Sequence, residues 1–235
     1  MALLTLPVCE VRTETPRTRV VHVSLAGGPF AFDAGQAVYV GLHGQPQRKP
    51  YSIACSPEQA RDTGALELLV QVGADGSAGA HLGVPAPGVQ VDVDGPSGAF
   101  RFPDSPTEAR FLFVAGGTGI APLRAMLRHA LAAFPRREAS LIYSARSADE
   151  FAYGEEMREL ARDGRIRLLE TVTRPGTAEW AGTRGRITRA QIASLVAGGP
   201  TLCLVCGPPA LVRDVTAWLG VLGVSKQRIL AEGWG

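Results

Sequence analysis

No run of apolar residues approaches the roughly 18 needed to cross a bilayer, so this 235-residue chain is expected to work off the membrane. Its start, MALLTLPVCEV, has no basic n-region, and Pro7 breaks its short apolar stretch. That argues against a signal peptide and for the cytoplasm. Cysteine is scarce. The four present are too scattered for a disulfide framework, and no close set of four exists to hold an iron–sulfur cluster. His22, His43, His81 and His129 lack ligand-like spacing, so no metal site is expected. An excess of one charge is missing too: a net charge of +2 gives no argument for nucleic acid or an anionic membrane surface. With 46% apolar and 20% charged residues the chain is not disordered. Its length suits one large or two small domains.

Cys203 and Cys206 do form a C-x-x-C, in TLCLVC. That stretch reads as a buried strand, and side chains three apart on a strand point to opposite faces. The two sulfurs are therefore not expected to meet as a dithiol or as zinc ligands.

The chain changes character near FPDSPTEAR. Before it, short β-type runs are broken by Gly and Pro: TRVVHVSLA, QAVYVGL, PYSIACS, LELLVQV and VQVDVDG. Such spacing predicts an antiparallel barrel or sandwich. After it, strands RFLFVAG, ASLIYSA, IRLLETVT and TLCLVCG alternate with helical patterns. One helix, APLRAMLRHALAAF, carries Leu123, Met126, Leu127, Ala130, Leu131 and Phe134 on its apolar face. The alternation predicts a Rossmann-like parallel sheet covered by helices. Pro103 and Pro106 mark the linker, giving domains at 1–103 and 108–235.

FVAGGTGIAPLRAML is the sharpest local feature. A buried strand runs into Gly116, Gly117 and Gly119, and a helix opens after them. Glycines let a backbone approach a phosphate closely, and a helix start offers free N–H groups and a positive dipole end. An ordinary strand-to-helix turn also favours glycine, so the strand–turn–helix context is what supports a nucleotide. The next strands end in YSARS and VTR, presenting Arg146 and Arg174, and AGTRGRIT adds Arg184 and Arg186. Strand ends on one edge of a parallel sheet are neighbours. Convergent arginines there fit a 2′-phosphate, hence NADP(H); the alternative is that they are merely solvated. In QRKPYSIACS, Arg48 and Lys49 precede Tyr51 and Ser52: cations for a phosphate, an aromatic for a flat ring and a hydroxyl for a ring nitrogen.

Together the two halves resemble the ferredoxin–NADP(+) reductase family of flavoproteins, over nearly the whole chain and in the family's order. KPYSIAC is similar to the flavin motif R-x-Y-S, and GADGSAGAHL to the segment that starts a helix under the flavin phosphates. GPSGAF resembles the motif near the barrel's end, GGTGIAP the nicotinamide–nucleotide loop, CGPPALV the C-G-P-P-x-M turn, and AEGWG the terminal Glu-x-aromatic.

The resemblance implies FAD and NADP(H) as cofactors, with FMN the other candidate flavin. Tyr51 would flank the flavin, and Ser52 would reach its hydride-accepting N5. A cation at Arg48 or Lys49, with the backbone of Gly79 and Ala80, would meet the flavin phosphates. Two departures stand out. Lys49 occupies the motif's arginine position, and Gly79 a position where the family often has serine. Gly117, Thr118, Gly119 and Gly207 would line the nucleotide, with Arg146, Arg174 and Arg186 at its 2′-phosphate. Cys206 would sit beside the nicotinamide with Glu232 across from it. Without the resemblance, Cys206 reads as a small buried filler and Glu232 as a terminal surface charge. Trp234 is the odd residue, since chain ends are usually polar and frayed; by resemblance it lies on the open flavin face.

The expected activity is an FAD-dependent NADPH reductase passing single electrons to ferredoxin, flavodoxin or a small-molecule acceptor. The rivals are an electron-transfer subunit, the reductase component of an oxygenase system, and a non-catalytic nucleotide-binding module.

Overall fold

The computed structural model describes residues 3–25, 27–72, 85–174 and 180–234. They form two compact units. One comprises residues 1–102 with Arg124–His129; the other comprises 103–123 and 130–235.

The first unit holds β1 (Leu4–Thr15), β2 (Thr18–Ser24), β3 (Ala37–Leu42), β4 (Lys49–Ser52), α1 (Pro57–Thr63), β5 (Ala65–Gln71) and β6 (Gln90–Ser97). The strands form one sheet in the order β4-β3-β6-β1-β2-β5, every neighbouring pair antiparallel. An antiparallel bridge between Ile53 and Leu68 joins the ends of that order, closing a barrel. Closure removes the exposed sheet edges that would invite pairing with other chains. Val8, Val21, Val23, Val38, Val40, Leu66, Leu68, Val91 and Val93 pack inside.

Two elements of this unit carried weak or overlooked signals. β1 contains Pro7, a residue that argues against a strand, yet Pro7 pairs with Gln90 where β1 crosses from β6 to β2. Helix α1 begins at a capping box: Ser56 accepts from the Gln59 N–H, and the Gln59 side chain accepts from the Ser56 N–H. The sequence S-P-E-Q carries that signal, with proline at the first helical position.

The second unit contains β7 (Arg110–Gly116), α2 (Ile120–Ala133), β8 (Glu138–Ala145), α3 (Gly154–Arg162), β9 (Arg167–Val172), β10 (Thr183–Arg184), α4 (Arg189–Val196), β11 (Thr201–Gly207), α5 (Pro209–Val221) and β12 (Ile229–Gly233). The middle of α2, Arg124–His129, belongs to the first unit. All six strands are parallel, in the order β10-β9-β8-β7-β11-β12. The chain winds outward from β7 through β8 and β9, then returns past β7 to β11. The crevice between the carboxyl ends of β7 and β11 is therefore the switch point where such sheets take ligands.

Leu112, Val114, Cys203 and Val205 pack into the cluster shared with α4 and α5. Cys206, one pleat step out of phase with Cys203, faces the other way, so the C-x-x-C sulfurs diverge. Both are free and buried. Among the described residues no helix is long and apolar enough to cross a membrane, and no cluster of three or more His, Cys, Asp or Glu could hold a metal.

Candidate functional site

In the barrel, β4 delivers the KPYS motif. Val38 pairs with Tyr51 and Ala37 with Ser52. Tyr51 is half-buried against the barrel core, and burial pushes its phenol above the usual range. Ser52 is also half-buried. By strand alternation Lys49 shares a face with Tyr51, and it is exposed.

Arg48 has another commitment. Its Nη2 lies 3.4 Å from Asp92 Oδ2. Asp92 is buried on β6 and also accepts from the Thr5 hydroxyl at 2.8 Å, with His43 Nδ1 at 2.8 Å. Hydrogen bonds from His43, then Thr5, with Arg48 contributing, hold the Asp92 carboxyl below the usual carboxylate range. Arg48 therefore anchors the loop before β4, while Lys49 makes no ion pair among the described residues. Gly79 and Ala80 lie outside the described residues.

Sequence reasoning missed what braces the strand beyond Ser52. Arg124, buried, donates from Nη1 to the Ala54 carbonyl at 2.8 Å and to Glu67 Oε1 at 3.2 Å. Glu67 in turn lies 3.4 Å from His22 Nε2. A lone arginine in an amphipathic helix gives no sign of such a partner, because the partner is set by tertiary packing.

In the second unit, Gly116 ends β7, Gly117–Gly119 form a single 3-10 turn, and α2 follows. Gly119 caps α2 with no side-chain acceptor, and no acidic residue stands in the helix's first turn. The helix start therefore has no side-chain cap, and its Ile120 N–H turns back to the Gly117 carbonyl. Gly119 serves packing as much as ligand access. A Cβ there would lie 2.6 Å from the Cys206 carbonyl carbon and 2.7 Å from the Gly207 nitrogen. Only a glycine lets the loop press this closely against the end of β11. Gly117 is exposed with φ +54°, a left-handed conformation that glycine adopts without steric cost. Thr118 is half-buried between them.

The arginines gather on the same carboxyl edge. The Arg174 N–H donates to the Arg146 carbonyl at 2.6 Å, placing the two residues side by side at the ends of β8 and β9. Arg184 pairs with Val172, which brings Arg186 just beyond β10 to that edge. Arg146, Arg174 and Arg186 are exposed and make no ion pair among the described residues.

The last residues form β12, a strand the terminal sequence did not announce. Cys206 pairs with Glu232 and Gly207 with Gly233, and the Trp234 N–H donates to the Gly207 carbonyl at 3.1 Å. Burial, with the Glu232 charge adding to it, pushes the Cys206 thiol well above its usual range. Burial also raises the Glu232 carboxyl. The Trp234 indole N–H offsets both shifts in part. Its Nε1 is buried without a hydrogen bond of good geometry, so the offset reflects a nearby dipole rather than a closed bond.

Both units match known domains. Residues 6–102 match the oxidoreductase FAD-binding domain and residues 113–217 the oxidoreductase NAD-binding domain. The chain is 33% identical to ferredoxin–NADP reductase B of Sorangium cellulosum, over 94% of this chain and 93% of that protein. The chain belongs to the ferredoxin–NADP reductase family. It is an FAD- and NAD(P)-binding oxidoreductase. A second relative, the reductase subunit of an aromatic O-demethylase from Amycolatopsis, is 32% identical over 89% of this chain and 63% of its own length. Among solved structures, Amycolatopsis cytochrome P450 reductase GcoB superposes with a TM-score of 0.83 at 29% identity, over 98% of this chain and 70% of that one.

Proposed function

We propose that the protein is an NADPH-dependent flavin reductase that passes electrons to a separate acceptor, a ferredoxin or flavodoxin. The barrel, 1–103, would carry FAD and the parallel sheet, 108–235, the nucleotide, in the cytoplasm. The observation that carries NADPH over NADH is the backbone bond joining Arg174 to Arg146, which sets two exposed arginines, neither in an ion pair among the described residues, side by side at one strand edge. A 2′-phosphate binds such a pair by charge-assisted hydrogen bonds.

FAD, when bound, would supply a two-electron acceptor at N5 that can release its electrons singly, which nicotinamide alone does not do. The residues present fit that group. Tyr51 offers a half-buried aromatic face and Ser52 a hydroxyl for N5, while Lys49 is the cation left free for the phosphates. Arg48 supports Lys49 through its anchorage to Asp92. Gly117, Thr118, Gly119 and Gly207 would line the nucleotide pyrophosphate and ribose. Cys206 would pack beside the nicotinamide as a neutral thiol. Glu232 would orient the nicotinamide or exchange a proton near it, a task helped by a carboxyl whose affinity for protons is raised. Trp234 would cover the flavin face that the nicotinamide needs and leave when it arrives.

A second reading, the reductase component of an oxygenase system, is favoured by the likeness to Amycolatopsis reductases in sequence and in structure. One experiment separates the two. The protein is reduced anaerobically with NADPH and mixed with ferredoxin, flavodoxin or a cytochrome P450. Fast re-oxidation by ferredoxin or flavodoxin supports the first reading. Re-oxidation by the cytochrome alone supports the second.

A further inference from the structure

One buried side chain touches the nucleotide loop from below. Tyr143, on β8, is fully buried, and its hydroxyl donates to the Gly117 carbonyl at 3.2 Å. The ring is held in place: Phe151 meets it edge-on at 4.9 Å and itself stacks on Trp180 at 5.4 Å. The same Gly117 carbonyl accepts the Ile120 N–H, so both of its lone pairs are used. The Gly117–Thr118 peptide is trans. In a trans peptide the C=O and the following N–H point in opposite directions. A carbonyl turned inward to Tyr143 therefore turns the Thr118 N–H outward, away from the sheet. Gly117 itself is in the left-handed region with open space around it, so its own packing does not restrain the peptide from flipping.

We propose that Tyr143 is a positioning residue for dinucleotide binding: its hydroxyl locks the Gly117–Thr118 peptide so that the Thr118 N–H meets the pyrophosphate. The proposal rests on the reading of this loop as the nucleotide site. Its contact is with the pyrophosphate, common to NADP and NAD, and so is independent of the arginines that choose between them.

The test is Tyr143→Phe, which keeps the buried ring and removes only the hydroxyl. Dissociation constants for NADP(+) and NAD(+) are measured by perturbation of the flavin spectrum, alongside the thermal midpoint. The constant should rise about 5-fold for both nucleotides, the loss expected for one neutral hydrogen bond, with the midpoint lowered by no more than about 4 °C. Unchanged constants, or a loss confined to NADP(+), would overturn the proposal. A second measurement needs no variant: amide exchange in the wild-type holoprotein. NADP(+) should slow exchange at Thr118 more than at Ile120, whose N–H is already bonded to Gly117. NADP(+) that binds without protecting Thr118 also overturns it. Wild-type protein that binds neither nucleotide refutes the nucleotide-site reading itself, and the proposal with it.

Discussion

Cys206 and Glu232 are in-register partners across β11 and β12, at the carboxyl end of the parallel sheet. Burial raises the carboxyl of Glu232 above the ordinary glutamate value. A group whose folded pKa is raised contributes stability fully present below its unfolded pKa, about 4.3 for glutamate. That contribution is lost as pH rises through the higher folded value. Glu232→Gln should abolish this loss and be more stable than wild type near neutral pH. It should also lower hydride transfer by about 10-fold or more if the carboxyl handles a proton. Urea unfolding across the acid range, with single-turnover kinetics, checks both. A variant whose stability declines with pH as wild type does contradicts the assignment.

Lys49 and Arg48 are adjacent cations in different settings. Arg48 sits on Asp92, whereas Lys49 makes no ion pair among the described residues. Lys49→Ala should weaken flavin binding about 10- to 100-fold, the range for one charge-assisted phosphate contact. Arg48→Ala should act more mildly, through loss of the loop's anchor. Flavin titration of the apoprotein gives both numbers. A larger effect at Arg48 would reverse the assignment.

The reach of the sequence follows the range of the forces. β7, β8, β9 and β11 and the helices of the second unit are legible because burial on a sheet and on a helix face each imposes a period, whereas the two-residue β10 is too short to show one. The turn at GGTG and the strand at KPYS are legible because each is set by a local pattern. β12 was not, because a five-residue strand at a chain end gains its stability from β11, not from its own pattern. Helix α3 starts at Gly154, directly after Phe151, Ala152 and Tyr153, which are buried, with Tyr153 in the left-handed region. The Arg124–Glu67 and Tyr143–Gly117 contacts join residues far apart in sequence, which no single-chain pattern reveals.

Under the proposed 2′-phosphate site, Arg174 would carry the cofactor choice together with Arg146. Arg174→Ala should raise the apparent constant for NADPH about 10- to 100-fold and leave NADH nearly unchanged. Steady-state kinetics with both nucleotides decides it. Equal wild-type efficiency with the two would count against the 2′-phosphate site.

Trp234 is tied to Gly207 through its backbone, while its indole N–H is buried without a well-formed hydrogen bond. If the ring covers the flavin, as proposed, no indole hydrogen bond adds to the cost of displacing it. Offset aromatic stacking is worth about 0.5–1.5 kcal/mol. Trp234→Ala should therefore bind NADP(+) about 2- to 10-fold more tightly, release product more slowly and discriminate less against NADH. Unaltered NADP(+) affinity together with an unaltered flavin spectrum would leave Trp234 as packing only.

The most direct test of the account is the visible spectrum of the purified protein before and after NADPH, without oxygen. The account predicts a yellow protein whose flavin bands bleach on mixing, at least about 10-fold more efficiently with NADPH than with NADH if the arginines bind the 2′-phosphate. A well-folded protein that takes up no flavin, or flavin bands that NADPH leaves unchanged, would contradict it.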